Sequence, residues 1–206
     1  MPISKILTSS YSTLDATKLS GNLPAISGAS LTALNASNIA SGTLNAARYV
    51  AGGITEADQW RVSSGFSDNA NPISSNWERN DSTGFEKIGT GMSQSSGIFT
   101  FPSTGIYLIT WGYIVYSYGN CRSVNEHLEV TTNNSSYSQV SNAQSHINNV
   151  ASLTYTNAGG SYIFDVTDTG QCKCRFEFTK TGDATGYTGD STYNENHHTF
   201  IRLGDT

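Results

Sequence analysis

An antiparallel all-β sandwich or jelly roll, preceded by a thin appendage too small to fold alone, is the architecture that three features of this 206-residue chain predict. The first is a change of character near Gly52 and Gly53. Small residues dominate before it; strand-like runs punctuated by turns follow it. The second is a five-residue spacing of apolar residues in the first part, at Leu14 and Leu19, then at Leu34, Ile39, Leu44 and Tyr49. The third is the run 105–116, which is apolar on both faces. The chain therefore divides into an N-terminal attachment or stalk segment, 1–53, and a C-terminal head domain, 54–206.

In the stalk segment a small residue stands two places before each spaced apolar one: Ser12, Thr17, Thr32, Ser37, Gly42 and Ala47. Pentapeptide-repeat chains use this pattern, with the apolar residue filling a narrow axis and the small one allowing close packing. Pro24, between Gly21 and Gly28, interrupts the register as a turn or kink. One coil needs about four such repeats, and several coils are needed to bury a core. The segment is expected to gain its core by winding with copies of itself or by docking on another protein. The plainer alternative is a flexible tether.

In the head, strands are predicted at 59–63, 77–78, 97–101, 105–116, 126–131, 151–156, 162–166, 172–180 and 199–203. Turn signals separate them at 102–105, 133–136, 157–160, 165–170 and 181–183. The stretches 131–149 and 182–196 read as polar loops, and 133–149 as an insertion rich in Asn, Ser and Gln. Helical periodicity never exceeds two turns. This many short strands suit a sandwich or jelly roll. Along 105–116, Ile106, Leu108 and Ile114 face one way, and Tyr107, Ile109, Trp111, Tyr113 and Val115 the other. A half-solvated strand would alternate with polar residues. One face fills the core, and the aromatic face, Tyr107, Ile109, Trp111 and Tyr113, is predicted to be an intersubunit surface.

Composition narrows the function. Hydrophobic residues are 36% and charged ones 13%, while 11 Tyr, 8 Phe and 3 Trp supply a core. The 11 basic residues are scattered within a net charge of -5, with no stripe to track a phosphate backbone, so no nucleic-acid partner is expected. No run approaches the roughly 20 residues of a membrane-spanning helix. The start of the chain lacks the apolar core of a signal peptide, so folding in the cytoplasm of the producing cell is expected. Three cysteines, Cys121, Cys172 and Cys174, form no even framework there. Cys172 and Cys174 share a face with Phe176 and Phe178 and read as core thiols rather than half of a metal site.

An enzyme needs convergent reactive groups. His197 and His198 are adjacent and face opposite ways on a strand, which leaves Glu195 with His197 as at most half a metal site. No His-Glu-x-x-His, nucleophile elbow or P-loop occurs. Asp165, Asp168, Asp183 and Asp190 lie in turn-like segments without the spacing of a calcium loop. No metal, cofactor or catalytic residue is assigned. Tyr187 and Tyr193, in a Gly- and Thr-rich stretch read as an exposed loop, are the candidates for stacking on a sugar.

Two resemblances add to this reading. The residues Gly97, Phe99, Pro102, Gly105 and Tyr107 match the Gly-x-Phe-Thr-x-Pro-x-x-Gly-x-Tyr signature of the head shared by complement subcomponent q and tumour necrosis factor. The closing run 199–203 is similar to that family's last strand, and the resemblance spans about 57–204. It implies a ten-stranded jelly roll in a tight homotrimer, with aromatics of the central strand near the three-fold axis. The polar 133–149 stretch departs from the family pattern. The run from Leu19 to Leu31, with Gly21, Leu23, Pro24, Ala25 and Gly28, resembles the collars of bacteriophage tail-fibre and spike proteins. Such collars often precede a trimeric β-head.

Together these resemblances imply a structural protein of a phage virion, assembled in the host cytoplasm: a trimeric fibre or spike. Its expected partners are itself, another virion protein through 1–53, and a host-surface glycan through the head. The alternative is a capsid-decorating or cement protein. A polysaccharide-degrading enzyme ranks last, because no Asp or Glu pair is placed recognisably for glycoside cleavage.

Overall fold

Every strand in the head must pair its backbone and hide one face, and the sequence supplies enough β-branched and aromatic residues to do both. The computed structural model describes residues 53–119, 121–148, 152–182 and 185–206. The five-residue pattern and the attachment role assigned to 1–53 fall outside these, Gly53 excepted. Eleven strands are described: β1 (Ala57–Val62), β2 (Trp77–Arg79), β3 (Ser93–Ser95), β4 (Ile98–Thr100), β5 (Gly105–Ser117), β6 (Cys121–Thr131), β7 (Ser138–Ile147), β8 (Thr154–Val166), β9 (Lys173–Thr181), β10 (Thr185–Tyr187) and β11 (His197–Gly204). No helix occurs among the described residues.

All pairings are antiparallel, and they build two sheets. In the first, β5 bonds β8 along one edge over its full length, and β11 then β10 along the other; β11 continues to β1 and β2. The second runs β3-β4-β9-β6-β7. The β3–β4 hairpin closes through Ser96 and Gly97, both with positive φ (49° and 79°). Positive φ at both central residues is what a two-residue type I′ turn requires, and glycine adopts it without strain. The family signature thus begins at a turn that dictates its own residues.

The core lies between the sheets. The first sheet contributes Tyr107, Ile109, Trp111, Tyr113 and Val115 of β5, with Phe200, Trp60, Phe164 and Val166. The second contributes Phe99, Cys174, Phe176, Phe178, Val124 and Leu128. Rings interlock across the gap, as with Trp77 edge-on to Phe99 at 4.8 Å and Phe101 edge-on to Tyr107 at 4.8 Å. Such pairs add about 0.5–1.5 kcal/mol each beyond the area they bury. Cys121, Cys172 and Cys174 are free, buried thiols within this core.

Three sequence expectations are corrected. The insertion-like stretch 133–149 contains β7, an edge strand whose alternation is masked because only Ala143 and Ile147 are buried. The turn expected at 157–160 is strand: β8 runs straight through Gly159 and Gly160. A Cβ on Gly160 would sit 2.5 Å from the Trp111 ring, and one on Gly159 2.6 Å from the Trp111 carbonyl oxygen. These glycines mark a close approach of neighbouring strands rather than a bend. Part of the stretch read as the second polar loop is likewise β10, paired to the end of β5. The turn at 133–136 is present: Asn133 Oδ1 accepts the amides of Ser135 (3.0 Å) and Ser136 (2.9 Å).

Candidate functional site

Strand β5 decides which residues can meet another molecule. Its odd-numbered residues, Gly105 to Ser117, are all buried, and its even-numbered ones are half-buried. Tyr107, Ile109, Trp111 and Tyr113, expected at a subunit contact, are at most 2% exposed within the single chain. A side chain already enclosed by its own sandwich has no surface left to offer a neighbour. The reason is size: the gap between two sheets is about 10 Å, and the larger aromatic face fills it. Tyr107 and Tyr113 also place their hydroxyls inside, donating to Ser103 O (3.1 Å) and Val124 O (2.9 Å).

The outer face of the first sheet is one surface the head offers. Registers put Ile163 opposite Leu108, Leu108 opposite Ile201, Ile201 opposite Ala57, and Ala57 opposite Ile88. Neighbours in register share a face, so these five make a continuous apolar row across the sheet. Ile163 is 59% and Ile88 45% exposed. A second row, eight residues further along β5 or about 26 Å, pairs Tyr116 with Tyr155 and Gly186. Between the rows, His197 lies over Gly112, where a Cβ would meet the imidazole at 2.6 Å. Burial, and then the neighbouring His198, push the His197 imidazole below its ordinary value of 6.5.

Tyr187, a predicted sugar-stacking residue, is wholly buried. Its ring stacks on Phe66 at 4.8 Å, meets Phe178 edge-on at 5.1 Å, and donates its hydroxyl to Glu126 Oε2 at 2.9 Å. Gly186, small enough to pass under Tyr116, lets β10 tuck this side chain inside. Tyr193 is 56% exposed, beside Glu195 at 3.4 Å.

One constellation escaped sequence reasoning. Glu126 and His198 are fully buried with Tyr187; His198 Nε2 lies 2.6 Å from Glu126 Oε1. The imidazole is gripped edge-on by Phe176 (4.3 Å) and Trp77 (4.6 Å). A carboxylate, an imidazole and a phenol are acid–base groups by type. Here they are sealed between two sheets and hydrogen-bond one another through Glu126. The pairing joins residues 72 apart in sequence, which no local pattern signals. A second hidden group is Arg61, also fully buried, which donates to Glu78 (3.0 Å), Ser82 Oγ (2.9 Å), Asp81 and the Ser191 carbonyl. It ties the 188–196 loop to the β2–β3 connection.

Asp165, read as a turn residue, lies instead exposed in β8 opposite Ile106, while the carboxylates of Asp168 and Asp190 are occupied locally. Asp190 Oδ1 accepts from Thr192 N, Thr192 Oγ1 and Tyr193 N, and the Thr192 bonds hold its carboxyl below the usual range. Asp168 Oδ1 accepts from Gly170 N. Asp183 lies outside the described residues. Among the described residues, no three His, Cys, Asp or Glu side chains converge on one point.

The fold is similar to that of solved tumour-necrosis-factor-type proteins. Murine APRIL at pH 5.0 superposes with a TM-score of 0.50 and 11% identity, over 72% of this chain and 98% of its own. Eiger TNF from S. frugiperda gives 0.54 and 12%, over 73% of this chain and 93% of its own. At such identities the similarity is one of fold. No protein-family model matches the chain, and no curated protein sequence does.

Proposed function

We propose that the chain is a homotrimeric fibre or spike protein of a phage virion, attached through 1–53, with its jelly-roll head presented to the host surface. The observation that carries self-association is the apolar row Ile163, Leu108, Ile201, Ala57 and Ile88 on the outer face of the first sheet. An apolar strip across four strands is a poor surface to leave in water and a good one to bury against copies of itself. The collar-like run in the stalk segment and the scarcity of charge support the fibre reading. The work of such a protein is mechanical and adhesive rather than catalytic: weak contacts to a surface glycan, summed over copies, give avidity.

Two measurements test this. Light scattering of the full chain is expected to give three chain masses, and Ile163→Asp to give one. Ile163 is largely exposed in the protomer, so its carboxylate stays hydrated there and is desolvated only on assembly. A wild-type monomer at micromolar concentration rejects the trimer. A phage lacking the protein is expected to adsorb slowly to its host; normal adsorption with heat-fragile capsids rejects host attachment and leaves the cement role.

A further inference from the structure

The second row on the outer face has a chemistry of its own. Tyr116, half-buried, meets Tyr155 at 6.3 Å and Tyr118 at 6.1 Å between ring centroids. Tyr118 and Tyr155 are 61% and 58% exposed, though both have apolar ring faces to cover. Beside them opens a pocket of about 250 Å³ lined by Tyr116, Tyr155, Thr188, Gly189, Gly65 and Glu195. Tyr193 donates its hydroxyl to Glu195 of this lining, and the carboxylate's charge, first among several causes, raises the phenol above its ordinary value. The floor is fixed. Asn196, fully buried, accepts the Ile114 amide at 2.7 Å and donates to the Thr188 carbonyl at 2.5 Å, while Arg61 holds Ser191.

We infer that this tyrosine-rimmed pocket is a carbohydrate subsite for an uncharged pyranose. A pyranose presents an apolar C–H face flanked by hydroxyls, and an exposed ring beside a carboxylate matches both. Tyr155 covers the C–H face, and Glu195 accepts hydroxyl donors at its edge. Rigid amphipathic tyrosines provide such contacts at low entropic cost. The carboxylate also selects against sialic and uronic acids, because a like charge placed beside it is repelled.

This inference deepens the host-surface reading and rests on it, so the test separates the two. Full-length protein is titrated against immobilised lactose, maltotriose and chitotriose, with sialyllactose and polygalacturonate as acidic probes. Retention by at least one neutral probe is expected, with the acidic probes at least tenfold weaker. Tyr155→Ala is expected to lower neutral-sugar affinity at least tenfold, and Glu195→Gln to narrow the gap between neutral and acidic probes. No retention on any neutral probe, an acidic preference, or unchanged binding by Tyr155→Ala overturns the assignment. So does a fall of Tyr155→Ala to a single chain mass, which would make the cluster a self-association patch. Host adsorption then discriminates. If Tyr155→Ala loses sugar binding while phage lacking the whole protein adsorb at full rate, the subsite stands and host attachment falls. If adsorption needs the protein but Tyr155→Ala binds sugar as wild type does, attachment stands and the subsite falls.

Discussion

Tyr187→Ala should be among the most damaging single changes in the head. The ring is enclosed by Phe66 at 4.8 Å, Phe178 at 5.1 Å and Tyr113 at 6.0 Å, with no surface left exposed. Truncating a buried aromatic to alanine costs about 3–5 kcal/mol, from lost transfer energy and the void left behind. The hydroxyl adds a separate part. It donates to a carboxylate that is fully buried, and an unsatisfied buried acceptor costs about 1–3 kcal/mol. Tyr187→Phe keeps the ring contacts and isolates that second part. A domain stable by about 5–15 kcal/mol tolerates the phenylalanine and is brought near unfolding by the alanine. Urea denaturation followed by tryptophan fluorescence measures both, at one fixed chain concentration because assembly feeds into apparent stability. An unchanged slope with a lowered midpoint is the expected signature. An alanine variant within about half a kcal/mol of wild type, the range of exposed positions, would show that Tyr187 is not in the core. A phenylalanine variant equal to wild type would remove the Glu126 bond from the account.

Other outcomes follow from the same packing. Gly160→Ala puts a methyl against the Trp111 ring and should cost about 1–3 kcal/mol by overpacking, whereas Gly119→Ala, with open space around it, should be near neutral in the same melt. Arg61→Lys should cost about 1.5–3 kcal/mol, since a single ammonium cannot replace a fork bonded to several acceptors, and proteolysis should then cut first within 188–196. Folding also holds the His197 imidazole below its ordinary 6.5. Above that value both states are neutral and stability is complete. As pH falls below it the unfolded chain takes up the proton first, so stability should fall, and His197→Gln should flatten that slope in a pH series of urea melts.

The central motif was legible because local physics dictates it: Gly97 must take a positive φ, and Gly105 to Tyr107 open the 13-residue strand β5. That β5 has two apolar faces was also legible. Which face turns inward was not, because that depends on the opposite sheet. Phe99, Phe176 and Val124 come from three separate stretches of chain, and together they shape the cavity that the aromatic set fills. Strand β7 escaped because its inner face buries only Ala143 and Ile147, with Ser145 between them, which is too few apolar residues to show a binary pattern. Tyr187 escaped for a related reason: the Gly and Thr around it look like loop, and its partner Glu126 lies 61 residues earlier. Tyr193 is exposed, as its Gly- and Thr-rich surroundings imply, but Tyr116 and Tyr155 come together only through the β5–β8 register.

The way the two sheets end bears on survival at high local concentration. An open strand edge is a template for another chain's backbone. Here two long edge strands, β7 and β8, are turned toward each other, with Ser145 bonded to Thr156 and Ser141 Oγ donating to the Ser161 carbonyl at 3.4 Å. The opposite edges, β2 and β3, are only three residues long, and neither carries an aliphatic side chain. Copies crowded side by side would thus meet through side chains rather than through unpaired backbone, and a dense array of heads can form without passing into cross-β aggregates.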